Sequence, residues 1–209
     1  MNEYYRRNFL IVLSAPSGGG KSTIKNKILK RSKNIIYSIS YTTRKRRGDE
    51  KNGKDYFFVN KDKFLKMVEN KEFLEFAEVH GNLYGTSRKF IEKNIQKGRH
   101  VIMDIDVQGA NAIRKSNIDH VDIFILPPTP EILEKRLRKR GTDTDEVIDK
   151  RLINARNEVK DVYNYDYLVI NDELDKAVSE VEIIIKAEEN KVTRYKQIEN
   201  IFYGGTNGS

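Results

Sequence analysis

Apolar positions change their period along this chain, and each change marks an element. Residues 9–13 are uniformly apolar and few, the pattern of a strand covered on both faces. Ile24, Ile28 and Leu29 then fall at helical spacing. Residues 35–40 alternate and predict a second strand, whereas 41–54 are polar and basic and predict a loop. Residues 55–59 and 73–79 read as short strands around a helix near 62–70. Residues 82–85 read as a turn or short strand, and 87–97 as a helix with Ser87 as its N-cap. An apolar strand at 100–106 ends in acids, a helix occupies 109–115, and a strand at 121–126 is stopped by Pro127-Pro128-Thr129-Pro130. Helices follow at 131–140 and 145–162, then a strand at 167–170 and a helix over 174–189.

Strands alternating with helices imply an α/β fold with a largely parallel, doubly covered sheet. Residues 40–93 interrupt that alternation as a small α+β insertion, which leaves 1–39 and 94–209 as the core. In such sheets ligands bind at the carboxyl ends of the strands. Gly18, Gly19, Gly20, Lys21, Ser40, Asp104 and Asp106 all fall at such ends, so one crevice is expected to gather them.

The first strand and helix are joined by Ser14-Ala15-Pro16-Ser17-Gly18-Gly19-Gly20-Lys21-Ser22-Thr23. Strand, glycine-rich turn, Lys-Ser, helix is the order that a phosphate-binding loop needs. Glycines let backbone N–H groups converge on a polyphosphate, and the helix N-terminus adds its open donors and positive dipole end. Lys21 supplies a mobile charge, and the Ser22 hydroxyl is a candidate Mg²⁺ ligand. The usual pattern, G-x-x-x-x-G-K-[ST], has glycine where Ala15 stands, and alanine fits that turn only at negative φ.

The chain has 209 residues, enough for one substantial α/β domain. It has no cysteine, which excludes disulfides, thiolate metal sites and a cysteine nucleophile. No apolar run approaches membrane-spanning length and residues 1–8 lack a signal-peptide core, so a cytoplasmic protein is expected. The net charge of +8 is compatible with a polyanionic partner. No nucleic-acid-binding signature accompanies it. The arginines cluster at Arg44, Arg46 and Arg47, and at Arg136, Arg138, Arg140 and Arg151, which favours small phosphates. Arg44 and Arg47 can fork around a dianion, with Tyr56 adding a hydroxyl. Glu75, Asp104 and Asp106 sit in or at the ends of apolar strands, where acids are costly unless paired or used.

The phosphate loop, T-T-R-x-x-R leading to G-K-D-Y, F-L-E-x-A leading to G-N-x-Y-G-T, D-I-D-x-Q-G, R-L-x-x-R-G and V-I-N-D occur in that order. Over residues 9–185 the chain therefore resembles the guanylate kinases, P-loop kinases that move the ATP γ-phosphate to GMP. The resemblance implies a three-layer P-loop core, a GMP-binding insertion at 40–93 and a helical lid at about 131–156. It implies that Ala15, Pro16, Ser17, Gly18, Gly19, Gly20, Lys21, Ser22, Thr23 and Asn171 bind ATP. Arg44, Arg47, Tyr56 and Tyr84 would hold the GMP phosphate, and Glu75, Ser40 and Thr86 would read guanine. Asp104 and Asp106 would complete the acceptor side, with Asp104 a second candidate for Mg²⁺. The implied catalytic set is Lys21, Arg44, Arg136, Arg140 and Arg151. The implied partners are MgATP and GMP, with dGMP as a further acceptor, and neither nucleic acid nor membrane. The chain departs from the family pattern at Arg46, where proline is usual, and at Asp49, where glycine is usual; Gly48 can take over that turn.

The chemistry of guanine agrees. Its N1–H and N2–H₂ donors match the two oxygens of a carboxylate, whereas adenine lacks the 2-amino group and turns a bare N1 toward it. Two other readings remain at this point: a noncatalytic guanylate-kinase-like interaction module, which typically loses the phosphate loop, and a P-loop kinase for another nucleotide.

Overall fold

The computed structural model describes residues 5–79, 81–139 and 144–203. The chain opens with β1 (Leu10–Ser14), α1 (Lys21–Arg31) and β2 (Ile35–Tyr37). It then builds a separate unit from β3 (Tyr41–Thr42), β4 (Phe57–Phe58), α2 (Lys61–Glu69), β5 (Phe73–Val79) and β6 (Asn82–Ser87). It returns through α3 (Arg88–Gln96), β7 (His100–Asp104), α4 (Val107–Arg114) and β8 (His120–Leu126). Two helices, α5 (Pro130–Lys139) and α6 (Asp145–Val159), precede β9 (Tyr167–Ile170), α7 (Leu174–Glu189) and the short α8 (Ile198–Phe202).

The main sheet is parallel throughout, in the order β2-β7-β1-β8-β9. Its central strand explains the uniform apolar run. Ile11 and Leu13 face a core shared with Ile24 and Ile28 of α1 and Val178 and Val181 of α7. Leu10 and Val12 face the opposite core, with Ile91 of α3 and Ala110 and Ile113 of α4. Helices thus cover both faces, and a strand buried on both sides needs apolar residues at every position.

The second sheet is mixed, in the order β4-β3-β6-β5. It closes over Phe64 and Met67 of α2 and Phe73 of β5. The first three residues of β5 are buried, and they split between two cores: Phe73 belongs to the small one and Leu74 to the main one. Glu75 follows directly, so the strand delivers a carboxylate between the two sheets. Helices α5 and α6 pack on each other through Leu133, Leu137, Ile148 and Ala155. Residues 140–143 between them, Arg140 included, lie outside the described residues.

Several boundaries differ from the sequence reading, each for a physical reason. β2 stops at Tyr37, because the chain crosses to the second sheet and pairs Tyr41 and Thr42 with Gly85 and Tyr84. The stretch read as loop therefore begins with a strand. The strand read to residue 106 ends at Asp104, because Asp106 is an N-cap: its carboxylate accepts from Gly109 N at 2.8 Å and starts α4 at Val107. The helix read to 162 is α-helical to Val159 and continues as a 3₁₀ turn over Lys160–Asn164. No helix of the described residues is long and apolar enough to cross a membrane.

Candidate active site

The phosphate loop is set by glycines and anchored by one amide. Gly18 and Gly20 adopt φ of 93° and 102°, in the left-handed region. Ala15 is not among the positive-φ residues, and it is buried, so its methyl packs into the core without straining the turn. Gly20 precedes α1, and no side chain caps that helix, so the Lys21 and Ser22 N–H groups stay available to an anion. Asn171, at the end of β9, is buried and donates from Nδ2 to Gly19 O at 2.8 Å. Arg136 of α5 donates to Asn171 O at 2.8 Å. Arg136, Asn171, Gly18, Gly20 and Thr23 border a cavity of about 260 Å³. Lys21 Nζ lies 3.2 Å from Ala15 O. Burial pushes its ammonium down from the usual lysine value, against the opposing pull of Asp104, Glu158 and Asp106. On the outer side of the loop, Arg151 of α6 reaches Ser17 Oγ at 3.5 Å. Glu158 accepts from the Ser17 backbone N–H, and burial raises its pKa.

A second cavity, of about 220 Å³, lies between the sheets. Ser40, Tyr56, Glu75, Tyr84, Asp104 and Asp106 line it. Glu75 is 7% exposed, and Thr86 donates to its Oε1 at 2.5 Å. Burial pushes the Glu75 carboxyl up to about 7; the Thr86 bond opposes that shift and nearby Asp106 adds to it. Arg44 is buried at the cavity's edge, 5.3 Å from the Tyr56 ring centroid, and Tyr56 in turn meets Tyr84 edge-on at 5.9 Å. Glu50 holds the Arg44 guanidinium from two sides, at 2.7 and 3.0 Å. The same carboxylate accepts the Arg47 backbone N–H at 2.8 Å, while the Arg47 side chain is exposed. Gly48, at φ 46°, makes the turn that brings Glu50 back, so the glycine shift noted in the sequence keeps the loop closed.

Asp104 joins the two halves. Its Oδ2 accepts from Ser22 on α1 at 3.0 Å, and its Oδ1 accepts from Lys25 at 3.2 Å and Tyr37 at 2.8 Å. A serine hydroxyl beside a carboxylate is an all-oxygen donor pair of the kind that suits Mg²⁺. Among the described residues, no group of three or more His, Cys, Asp or Glu could hold a metal by itself. A Mg²⁺ ion here would therefore depend on oxygens from a bound polyphosphate. A larger cavity, about 480 Å³, lies elsewhere, between Pro16, Pro127–Pro130 and α6, and is mostly apolar.

The guanylate kinase family model matches residues 7–188. The chain belongs to the guanylate kinase family. It is 50% identical over 185 residues to the guanylate kinase of Nitrosomonas europaea, covering 88% of this chain and 92% of that one. It is 46% identical over 188 residues to that of Carboxydothermus hydrogenoformans, covering 90% and 92%. A crystal structure of guanylate kinase from Anaplasma phagocytophilum aligns with a TM-score of 0.79 at 35% identity, over 96% of each chain.

Within this guanylate kinase fold, most of the residues expected from the sequence converge on the two cavities and the loop between them. Three partners were missed. Lys25 and Tyr37 read as ordinary helix and strand positions, and Glu50 as one charge in a basic loop. The only sequence signal for Lys25 was its place one turn beyond Lys21, flanked by residues of the apolar stripe.

Proposed function

We propose that the 260 Å³ cavity takes MgATP, that the 220 Å³ cavity takes GMP, and that the loop amides and Lys21 deliver the γ-phosphate between them. The reaction is ATP + GMP giving ADP + GDP, the activity of the family. The observation that carries these roles is the buried Glu75, a carboxylate with two acceptor oxygens in a cavity that meets the phosphate loop at Asp104. Its oxygens match the paired donors of guanine, with Ser40 and Thr86 at hand for the remaining edge.

Transfer needs no covalent enzyme intermediate, since an ionised GMP phosphate oxygen is itself the nucleophile. Arg44, Arg47, Tyr56 and Tyr84 hold that phosphate and offset its repulsion by the triphosphate. Glu50 now occupies both Arg44 and the Arg47 N–H, so it keeps the fork assembled before the phosphate arrives. Lys21 and the first-turn amides of α1 hold the β- and γ-oxygens. Mg²⁺, held by Ser22 with Asp104 beside it, supplies charge neutralisation when bound. From the lid helices Arg151 reaches the loop at Ser17 and Arg136 reaches Asn171 beside it, and both compensate charge in the transferring group, a role also proposed for Arg140. Closure of residues 40–93 and of the lid at about 131–156 excludes water, the competing acceptor. The same acceptor site suits dGMP, because every contact named here is to base or phosphate.

Replacing Lys21 with alanine tests the loop assignment. ADP release should fall at least about a hundredfold, while GMP affinity, set in the other cavity, stays within about twofold. Wild-type turnover by Lys21→Ala would overturn it.

A further inference from the structure

Lys25 is a buried cation beside the site to which the roles above give no part. It lies one turn beyond Lys21 on α1 and is only 8% exposed. A lysine in such a place is costly unless its charge is matched, and an aliphatic residue would pack there at lower cost. Its charge is matched by a single carboxylate. Nζ sits 3.2 Å from Asp104 Oδ1 and 3.6 Å from the centroid of the Tyr37 ring, which contributes a cation–π contact. The Tyr37 hydroxyl donates to the same Oδ1 at 2.8 Å, and Ser22 takes Oδ2 at 3.0 Å. Side chains from α1 and β2 thus hold both oxygens of an acid at the end of β7.

Asp104 and Tyr37 also line the acceptor cavity, together with Tyr56 and Tyr84. An acceptor phosphate held by those tyrosines approaches the Asp104 carboxylate, a like charge in a poorly solvated space. Lys21 cannot cancel that charge while it serves the donor phosphates. Lys25 can, because among the described residues Asp104 is the one carboxylate with which it pairs. We propose that Lys25, seated on Tyr37, is a positioning residue. It fixes the Asp104 carboxylate between donor loop and acceptor cavity and cancels its charge toward the incoming nucleoside monophosphate. The proposal rests on the acceptor reading of the cavity given above.

The test is GMP affinity measured by calorimetry on the whole chain without ATP or Mg²⁺, so that only the acceptor cavity is read. Lys25→Met should weaken GMP roughly tenfold. Adding Asp104→Asn to Lys25→Met removes the uncompensated charge and should restore affinity to within about threefold of wild type. The double variant also replaces both halves of the buried pair, so it keeps the test decisive if Lys25→Met folds poorly. Wild-type affinity in Lys25→Met, or a double variant no tighter than Lys25→Met, would overturn the proposal. Glu75→Gln run alongside tests the cavity itself: undiminished GMP binding there would overturn the acceptor reading instead.

Discussion

Glu75 is the residue proposed to set substrate choice, and its burial gives it a pH signature. Its carboxyl titrates at about 7 in the folded, ligand-free protein, against an ordinary 4.5. A raised carboxyl pKa means that the folded state holds the proton more tightly than the unfolded one. The resulting stability is full below pH 4.5 and is lost as pH rises through about 7. Relative to Glu75→Gln, wild-type unfolding free energy should therefore fall by roughly 3 kcal/mol across that window. A difference that does not change with pH in urea titrations would contradict this. In the proposed role of Glu75, the same proton governs recognition. Guanine's two donors need the ionised form, so GMP binding should release a proton below about pH 7 and tighten as pH rises. The protonated carboxyl can instead donate to the bare N1 of adenine. Preference for GMP over AMP should accordingly grow between about pH 5.5 and 7.5, and a flat ratio of kcat/KM values would count against the role. In the sequence Glu75 stood out as an acid in an apolar strand. Its partner Thr86 was also legible, but the raised pKa depends on closure by both sheets and was not.

At the scale of elements, strands β5 and β6 carry the proposed recognition pair, Glu75 and Thr86, and a glycine lets them close. A Cβ on Gly85 would come within 2.9–3.0 Å of Phe73 and Phe64, in the core of the second sheet. Gly85→Ala should cost about 1–3 kcal/mol by overpacking. It should also raise KM for GMP more than KM for ATP; equal changes in both would separate this sheet from acceptor binding. In the phosphate loop, Gly20 combines a left-handed backbone with an approach to Asn171 too close for any side chain. Gly20→Ala should break the Asn171–Gly19 anchor and raise KM for ATP at least about tenfold, with GMP affinity nearly unchanged. Periodicity located 167–170 and 174–189 well, because each buries a regular face. It missed β3, whose two residues are too few to show a period and whose pairing with β6 is set by distant sequence. It also missed α8, a single turn. Lys25, Tyr37 and Glu50 were illegible for a related reason: each acquires its role only from a partner that the fold brings beside it.

For the whole molecule, Asp104 links the acceptor cavity, which it lines, to the phosphate-loop helix, whose Ser22 donates to it, and residues 40–93 and the lid are proposed to close over the two cavities. Each nucleotide should then stabilise the folded chain by mass action, GMP at about a hundred times its Kd adding close to 2.7 kcal/mol. That gain should be small for AMP at the same concentration. The order of motifs along the chain made the proposed two-substrate arrangement readable, because the phosphate loop, D-I-D-x-Q-G and V-I-N-D each fall at the end of a parallel strand, and those ends share one side of the sheet. The most direct measurement is ADP release with MgATP and, in turn, GMP, AMP, CMP and UMP, for wild type and Glu75→Gln. Wild type should turn over GMP at least about a hundredfold faster than the others, and Glu75→Gln should lose most of that advantage. Absence of GMP-dependent turnover, or equal rates with GMP and AMP in wild type, would contradict the assignment.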